Sequence, residues 1–136
     1  MPPPEKGGAG HPQEWLKRAR SNLAIARAAL RVRDVYLEDA CFQAQQGTEK
    51  AIKAVLLHLS ISFPYTHDLT ALLRLLKNAG TTVPGEVEQA GLLTRFAIAT
   101  RYPGLAEPVT RKETEKAIRI ADSVLRWAQK SIGKER

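Results

Sequence analysis

A run of polar residues in the second predicted helix carries most of the chemistry that this sequence offers. Plotted at 100° per residue, four side chains between residues 37 and 59 fall within about a third of a turn. They are Gln46, Glu49, Lys50 and Lys53, here called the polar stripe. Because ammonium and amide groups can hold phosphate oxygens, Gln46, Lys50 and Lys53 are candidate nucleotide- or phosphate-binding residues.

The polar stripe also has a purely structural interpretation. Glu49 stands four residues before Lys53, and such a pair on an exposed helix contributes only about 0.2–0.5 kcal/mol. However, the large apolar residues Phe42, Leu56 and Leu57 border the stripe, so we expect something to cover it, such as the second subunit of a dimer. The sequence leaves both interpretations open.

A second set of candidates lies in the stretch from Pro64 to Leu69. Thr66 is placed to cap the third helix, and Asp68 to sit in its first turn near the positive end of the helix dipole. His67 is a candidate catalytic base, because an imidazole changes charge near physiological pH. A lone histidine in a loop is more often structural, and this alternative also stays open.

A third set is Arg101 and Tyr102, which precede Pro103. The planar guanidinium of Arg101 can bind phosphate, and the Tyr102 ring can stack on a base. The structural alternative is an ion pair between Arg101 and Asp68.

Several other kinds of site are not indicated. The sequence has no glycine-rich phosphate loop, no His-Glu-x-x-His helix and no nucleophile elbow. Cys41 is the single cysteine, which excludes an intramolecular disulfide and a zinc site built on a cysteine pair. We therefore predict no metal and no cofactor.

Apolar residues recur at steps of three and four along the chain, which predicts helices throughout. We expect helices from about Trp15 to Leu30, from Leu37 to Leu59, from Leu69 to Leu76 with Gly80 as a stop, from Pro84 towards Pro103, and from the Thr110–Glu113 capping box to Ile132. In the fourth of these, Leu92, Leu93, Phe96 and Ala97 are expected to form the apolar face.

Short connections between these helices predict an all-α, up-down antiparallel bundle of about five helices with a four-helix core. It is assigned to residues 12–133, between a disordered tail at 1–11, rich in proline and glycine, and a C-terminal tail at 134–136. In strict alternation the turn at 63–68 and the loop at 101–108 would share one end of the bundle. His67 is then expected near Arg101.

Length and charge narrow the class of protein further. A chain of 136 residues suits one domain. The formal net charge of +7, with basic residues spread over the first and last helices, favours acidic partners such as nucleic acid, nucleotides or acidic proteins, or else forms solvated faces. No apolar run reaches the roughly 20 residues that span a bilayer, and no signal peptide is recognised, so we expect a cytoplasmic location.

Three sequence blocks carry a resemblance to a known family. They are Ala40–Ala54 (ACFQAQQGTEKAIKA), Thr66–Leu69 (THDL) and Thr100–Pro103 (TRYP). In this order and spacing they resemble prokaryotic HEPN domain proteins, and the resemblance extends from Trp15 to Ile132. It implies a helical bundle that forms a homodimer, often encoded beside a minimal nucleotidyltransferase with which it acts as a toxin–antitoxin pair.

The resemblance also implies a possible activity, from which this sequence departs. The resemblance implies metal-independent ribonuclease activity, which is typical of many HEPN toxins. In those proteins an Arg followed four to six residues later by a His forms the active site. Residues 102–107, which follow Arg101, contain no His.

Three functions follow from this departure. The first is a HEPN module with little or no catalytic activity. It would bind nucleotide or a nucleotidyltransferase partner through Gln46, Lys50, Lys53, Arg101 and Tyr102. The alternatives are a ribonuclease toxin that uses Arg101 with a displaced His67, and a structural dimeric subunit without catalysis.

Overall fold

The computed structural model describes residues 10–97 and 108–133, and every regular element in these ranges is helical. The elements are α1 (Pro12–Ala29), α2 (Leu37–His58), α3 (Leu69–Asn78), the short α4 (Gly85–Glu88), a 3₁₀ helix (Gln89–Ala97) and α5 (Arg111–Ile132). The predicted all-α class is confirmed. None of the helices in these ranges is long and apolar enough to cross a bilayer.

Helix α2 lies at the centre of the fold, with α1 packed closely against it at Gly47. A Cβ atom added to Gly47 would lie 3.1 Å from the carbonyl oxygen of Ala19 and 3.3 Å from the Cβ of Asn22. Glycine at this position lets the two helices approach more closely than a residue with a Cβ would. The two helices run antiparallel, since the end of α1 at Leu30 and the start of α2 at Cys41 both contact the first turn of the last helix, at Arg111 and Thr114.

Helix α5 runs antiparallel to α1 and therefore parallel to α2. The side-chain amide of Gln13, at the start of α1, donates to the carbonyl of Gly133 at the end of α5 (3.0 Å). At the opposite end, Arg111 donates to the carbonyl of Leu30 (3.1 Å). The start of α5 thus lies beside the start of α2, whereas the turn after α2 leaves from the far end.

This arrangement changes the expectation for the two loops. Strict up-down alternation would make α5 parallel to α1, and it is the basis for placing the turn at 63–68 and the loop at 101–108 at one end. The predicted helical bundle is confirmed for the described residues, but α5 departs from strict alternation of all five helices because it runs antiparallel to α1. Residues 101–107 lie outside the described ranges.

The chain reverses direction after α2 and folds back along it. Ser60 adopts a left-handed conformation (φ 59°), while the amides of Ser60 and Ile61 donate to the carbonyls of Leu57 and Leu56. This is a Schellman motif, which satisfies the last carbonyls of a helix. The segment that follows, residues 61–68, brings its side chains successively beside Lys53 and Glu49.

The N-cap of helix α3 lies two residues after Thr66, the residue predicted to cap it. Asp68 is the N-cap, and its carboxylate accepts from the amide of Ala71 (3.1 Å). The Thr66 hydroxyl instead accepts from the Asp68 amide (3.1 Å), a local turn that holds Thr66 outside the helix. The predicted stop is confirmed, because Gly80 has φ 93° and closes a second Schellman motif through Thr81.

The fourth predicted helix is regular for only one turn and then becomes a 3₁₀ helix. A 3₁₀ helix has three residues per turn, so Ala90, Leu93 and Phe96 share its buried edge. The expectation that Leu92 belongs to the apolar face is wrong, since Leu92 is 55% exposed. Helix α5 begins as predicted, with both hydrogen bonds of the capping box formed between Thr110 and Glu113.

Candidate functional site

The carboxylate of Glu49 is the centre of a buried polar cluster. Glu49 is only 5% exposed. Its Oε2 accepts from the Lys53 ammonium (2.9 Å), and its Oε1 accepts from the side-chain amide of Gln45 (2.9 Å) and lies 2.8 Å from Nδ1 of His67. Burial alone would raise the pKa of the Glu49 carboxyl, but the hydrogen bond and charge of Lys53, with the bonds from His67 and Gln45, hold it below its ordinary value.

Lys53, predicted as a phosphate-binding residue, lies inside the fold. It is 1% exposed, and besides the ion pair with Glu49 its ammonium lies 5.5 Å from the ring centroid of Phe63 and 5.7 Å from that of Tyr65. The Glu49–Lys53 pair expected from the spacing therefore forms, but it is buried between α2 and the segment 61–68. Lys53 acts as a counter-ion for Glu49 within the chain.

His67 is the member of this cluster that reaches solvent, with a side chain 33% exposed. Because Glu49 is ionised, its oxygens only accept hydrogen bonds, so Nδ1 of His67 carries the proton of this contact. No residue that the structure describes bonds Nε2. The cluster thus fixes both the ring orientation and the tautomer of His67, and leaves Nε2 as the atom available to a ligand.

Tyr65 stands beside His67 and is not among the residues that the sequence predicts for the site. Tyr65 is 63% exposed, and its ring meets the His67 ring edge to face, with centroids 5.4 Å apart. An exposed aromatic ring beside a histidine is suited to stack on a planar ligand. Its position two residues before His67, across Thr66, is the only signal in the sequence, because the contact depends on how the segment folds back.

The other two members of the polar stripe face α1 or its edge. Lys50 donates to the side-chain oxygen of Asn22 (2.8 Å), whose amide in turn donates to Gln43 (2.8 Å). Burial lowers the pKa of the Lys50 ammonium. Gln46 donates to Gln45 (2.8 Å) and is half-buried. The cover expected over the stripe comes from the same chain, through α1 and the segment 61–68.

The remaining predicted residues, Arg101 and Tyr102, lie outside the described residues. Their role as phosphate-binding or catalytic groups stays a prediction. The structure therefore brings together His67 with Glu49 and Lys53, and it places Lys50 on a different side of α2, towards α1.

We expect the stability of the fold to fall in acid through Glu49. A carboxyl whose pKa is lower in the folded than in the unfolded state stabilises the fold above its unfolded pKa, about 4.3, and loses this contribution as pH falls. Urea unfolding measured between pH 7 and pH 3 should show this loss. Glu113 in the capping box also has a lowered pKa, owing to its bonds with Thr110, so the comparison must include a variant without Glu49.

That variant is Glu49→Met with Lys53→Met, which removes the buried pair and keeps Glu113. Its unfolding free energy should decline less steeply below pH 5 than that of the parent chain. Equal slopes for the two proteins would show that Glu49 does not titrate with a lowered pKa.

Comparison with known proteins identifies the family. The profile of the HEPN domain matches residues 12–132, which is nearly the whole of the chain. This chain belongs to the HEPN family. No match was found among proteins of curated function.

Two solved structures resemble this HEPN protein over most of its length. The crystal structure of TT1696 from Thermus thermophilus has a TM-score of 0.77 at 33% identity, covering 88% of this chain and 97% of that one. The structure of ST0689, an archaeal HEPN homologue, has a TM-score of 0.74 at 29% identity, covering 91% and 99%. The HEPN fold of this chain, within which Glu49, Lys53 and His67 meet, is thus shared with both structures.

Proposed function

We propose that this HEPN protein binds a nucleotide at the surface formed by His67 and Tyr65, with the buried Glu49–Lys53 pair as its support. HEPN domains are nucleotide-binding and ribonuclease-type domains. The observation that carries the proposal is the hydrogen bond between Glu49 and Nδ1 of His67, which leaves Nε2 for a ligand beside an exposed aromatic ring. The base would stack on Tyr65, and His67 would hydrogen bond to a phosphate or to the sugar.

The burial of Lys53 and the bond of Lys50 to Asn22 argue against the polar stripe itself as the contact surface. An ammonium already paired with a buried carboxylate gains little by exchanging it for a phosphate. Lys53 therefore acts on the ligand indirectly, through Glu49 and His67. Arg101 and Tyr102 remain proposed contributors to phosphate binding.

We expect saturating ATP to raise the melting temperature of the protein, because a ligand at about 100 times its dissociation constant adds about 2.7 kcal/mol. His67→Ala should abolish most of this shift, and Tyr65→Ala should reduce it. His58→Ala and Tyr36→Ala are matched controls, since both side chains are exposed at other places on the chain. A shift that survives His67→Ala and Tyr65→Ala would contradict the proposed site, and the same assay with GTP, CTP and UTP identifies the base.

A second candidate function is ribonuclease activity, favoured by the same contact. A carboxylate that holds Nδ1–H of a histidine orients Nε2 as a general base, the logic of catalytic Asp–His pairs. Here Nε2 of His67 would take the proton of a ribose 2′-hydroxyl, with Arg101 as the proposed phosphate ligand. Incubation of purified protein with RNA in EDTA tests this: cleavage that is lost in His67→Ala would establish it, and no cleavage by the parent chain would end it.

The expected partner is a minimal nucleotidyltransferase, with which this protein would form a toxin–antitoxin pair, and the expected assembly is a homodimer. Both are supported by membership of the HEPN family rather than by a contact in this chain. Co-expression with a nucleotidyltransferase encoded in the neighbouring reading frame, followed by size-exclusion chromatography with light scattering, tests both at once. Separate elution of the two chains would remove the partner from the proposal.

A further inference from the structure

Helix α5 carries a straight row of exposed cations that the proposed nucleotide site does not use. These cations recur at steps of three and four along the helix, except that Ser123 occupies one of the positions. Plotted at 100° per residue, they lie within a sector of about 80°. They are Lys112, Lys116, Arg119, Arg126 and Lys130, here called the cation row. At about 1.5 Å rise per residue the row is about 27 Å long.

The acidic residues of α5 pair with only one member of this row, Arg126. Glu113 is engaged in the capping box, and Glu115 pairs with Arg111 (3.3 Å). Asp122 is shared between Arg27 of α1 (2.6 Å) and Arg126 (3.2 Å). Among the residues that the structure describes, the other four members of the cation row make no ion pair. Positive charge is therefore concentrated on this face, at the four members without an ion pair.

An apolar groove runs beside the cation row, between α5 and the 3₁₀ helix. It has a volume of about 270 Å³, and its lining includes the apolar Leu92, Leu93, Phe96 and Ile120 and the charged Arg95 and Lys116. A second cavity of about 280 Å³ continues it past Lys116 and Arg119 to Glu86. Lys116 and Ile120 belong to both, so the cations and the apolar lining form one continuous surface.

We infer that this surface docks an acidic amphipathic segment of a partner protein. Acidic side chains along one side of such a segment would meet Lys116, Arg119 and their neighbours, while apolar side chains on the adjacent side would cover Leu92. A nucleic-acid backbone would satisfy the cations but would leave Leu92, which is 55% exposed, in contact with water. The juxtaposition of the groove and the row thus favours a protein segment, and Leu92 distinguishes the two ligands.

A designed peptide tests the inference directly. The probe is a fluorescein-labelled helical peptide of about 18 residues, with glutamates on one face and leucines on the adjacent one. We expect saturable binding in fluorescence anisotropy, weakened about tenfold or more by Lys116→Glu with Arg119→Glu. Leu92→Ser should weaken it about tenfold as well, because the apolar contact is lost. A peptide of the same composition without an apolar face should bind less tightly.

The matched control is Arg20→Glu with Arg74→Glu, which changes the net charge equally at exposed sites outside the row. It should retain most of the binding, and Lys116→Ala with Arg119→Ala repeats the test without new acids. Circular dichroism establishes that each variant is folded. The inference is overturned if the peptide does not bind, or if Leu92→Ser leaves binding unchanged. It is equally overturned if a labelled 18-nucleotide RNA outcompetes the peptide through the same cations, which would identify a nucleic-acid surface instead.

Discussion

Replacement of Glu49 by alanine is expected to destabilise this protein by about 3–5 kcal/mol, because it removes the carboxylate from a buried ammonium. Lys53 is 1% exposed, so its side chain would lose this counter-ion in a site that water scarcely reaches. The side-chain amide of Gln45 and Nδ1 of His67 would lose their acceptor at the same time. Urea unfolding at pH 7, followed by circular dichroism, measures the loss.

Two further variants separate the ion pair from the loss of packing. Glu49→Met with Lys53→Met replaces both charges by apolar groups of similar size, and it should recover much of the stability lost in Glu49→Ala. Glu115→Ala breaks an exposed pair with Arg111 on α5 and should cost less than about 1 kcal/mol. Glu49→Ala costing no more than Glu115→Ala would mean that the buried pair does not hold this part of the fold.

The second large effect is expected at Gly47, where α1 crosses α2. Alanine at this position would place a Cβ 3.1 Å from the carbonyl oxygen of Ala19, a contact with backbone that cannot rotate away. Overpacking of this kind costs about 1–3 kcal/mol and the gain in helix propensity is about 1 kcal/mol, so we expect a net loss of up to about 2 kcal/mol. Valine adds two further carbon atoms, so Gly47→Val should cost about 3 kcal/mol or more.

Gly85→Ala is the matched control for this prediction. Gly85 is also helical, but a Cβ added there meets nothing within 4 Å. Its substitution should be neutral or slightly stabilising in thermal unfolding. If Gly47→Ala raised the melting temperature as much as Gly85→Ala, α1 and α2 would not be in close contact at this crossing.

The sequence predicts those features that depend on neighbours along the chain. The helical spacing of α2, the capping box of Thr110 and Glu113, and the left-handed stop at Gly80 are each local, and the structure confirms them. The approach of Glu49 to Lys53 is equally local, because residues four apart are adjacent on a helix. The spacing does not, however, predict that this pair is buried.

Burial of the pair depends on residues distant in sequence. The reversal at Ser60, a residue that seldom takes a left-handed conformation, brings Phe63, Tyr65 and His67 back over α2. The pattern of polar residues on α2 alone cannot predict that the segment 61–68 covers them. The polar stripe is consequently a junction between α2 and its neighbours, and the ligand-accessible atoms are those of the covering segment.

The direction of α5 relative to α1 also could not be predicted from the sequence. Alternation of antiparallel helices assumes that each helix runs the full length of the bundle, but α4 is a single turn and both it and the 3₁₀ helix pack against α5. The period of three in Ala90, Leu93 and Phe96 is visible, yet Leu92 and Ala97 fit a period of 3.6 equally well. Tertiary packing decides between such alternatives.

Nuclear magnetic resonance of the His67 ring tests most directly the claim that this ring, fixed by the buried Glu49–Lys53 pair, is the nucleotide-contacting group. A long-range ¹H–¹⁵N spectrum of ¹⁵N-histidine-labelled protein identifies the protonated nitrogen and follows both nitrogens during titration with ATP. The expected result is a proton on Nδ1 in the free protein and a saturable shift of Nε2 on addition of nucleotide, with the His58 ring unchanged. A saturable shift of backbone signals at Gln46 and Lys50, with no change in the His67 ring, would contradict the claim and return the site to the polar stripe.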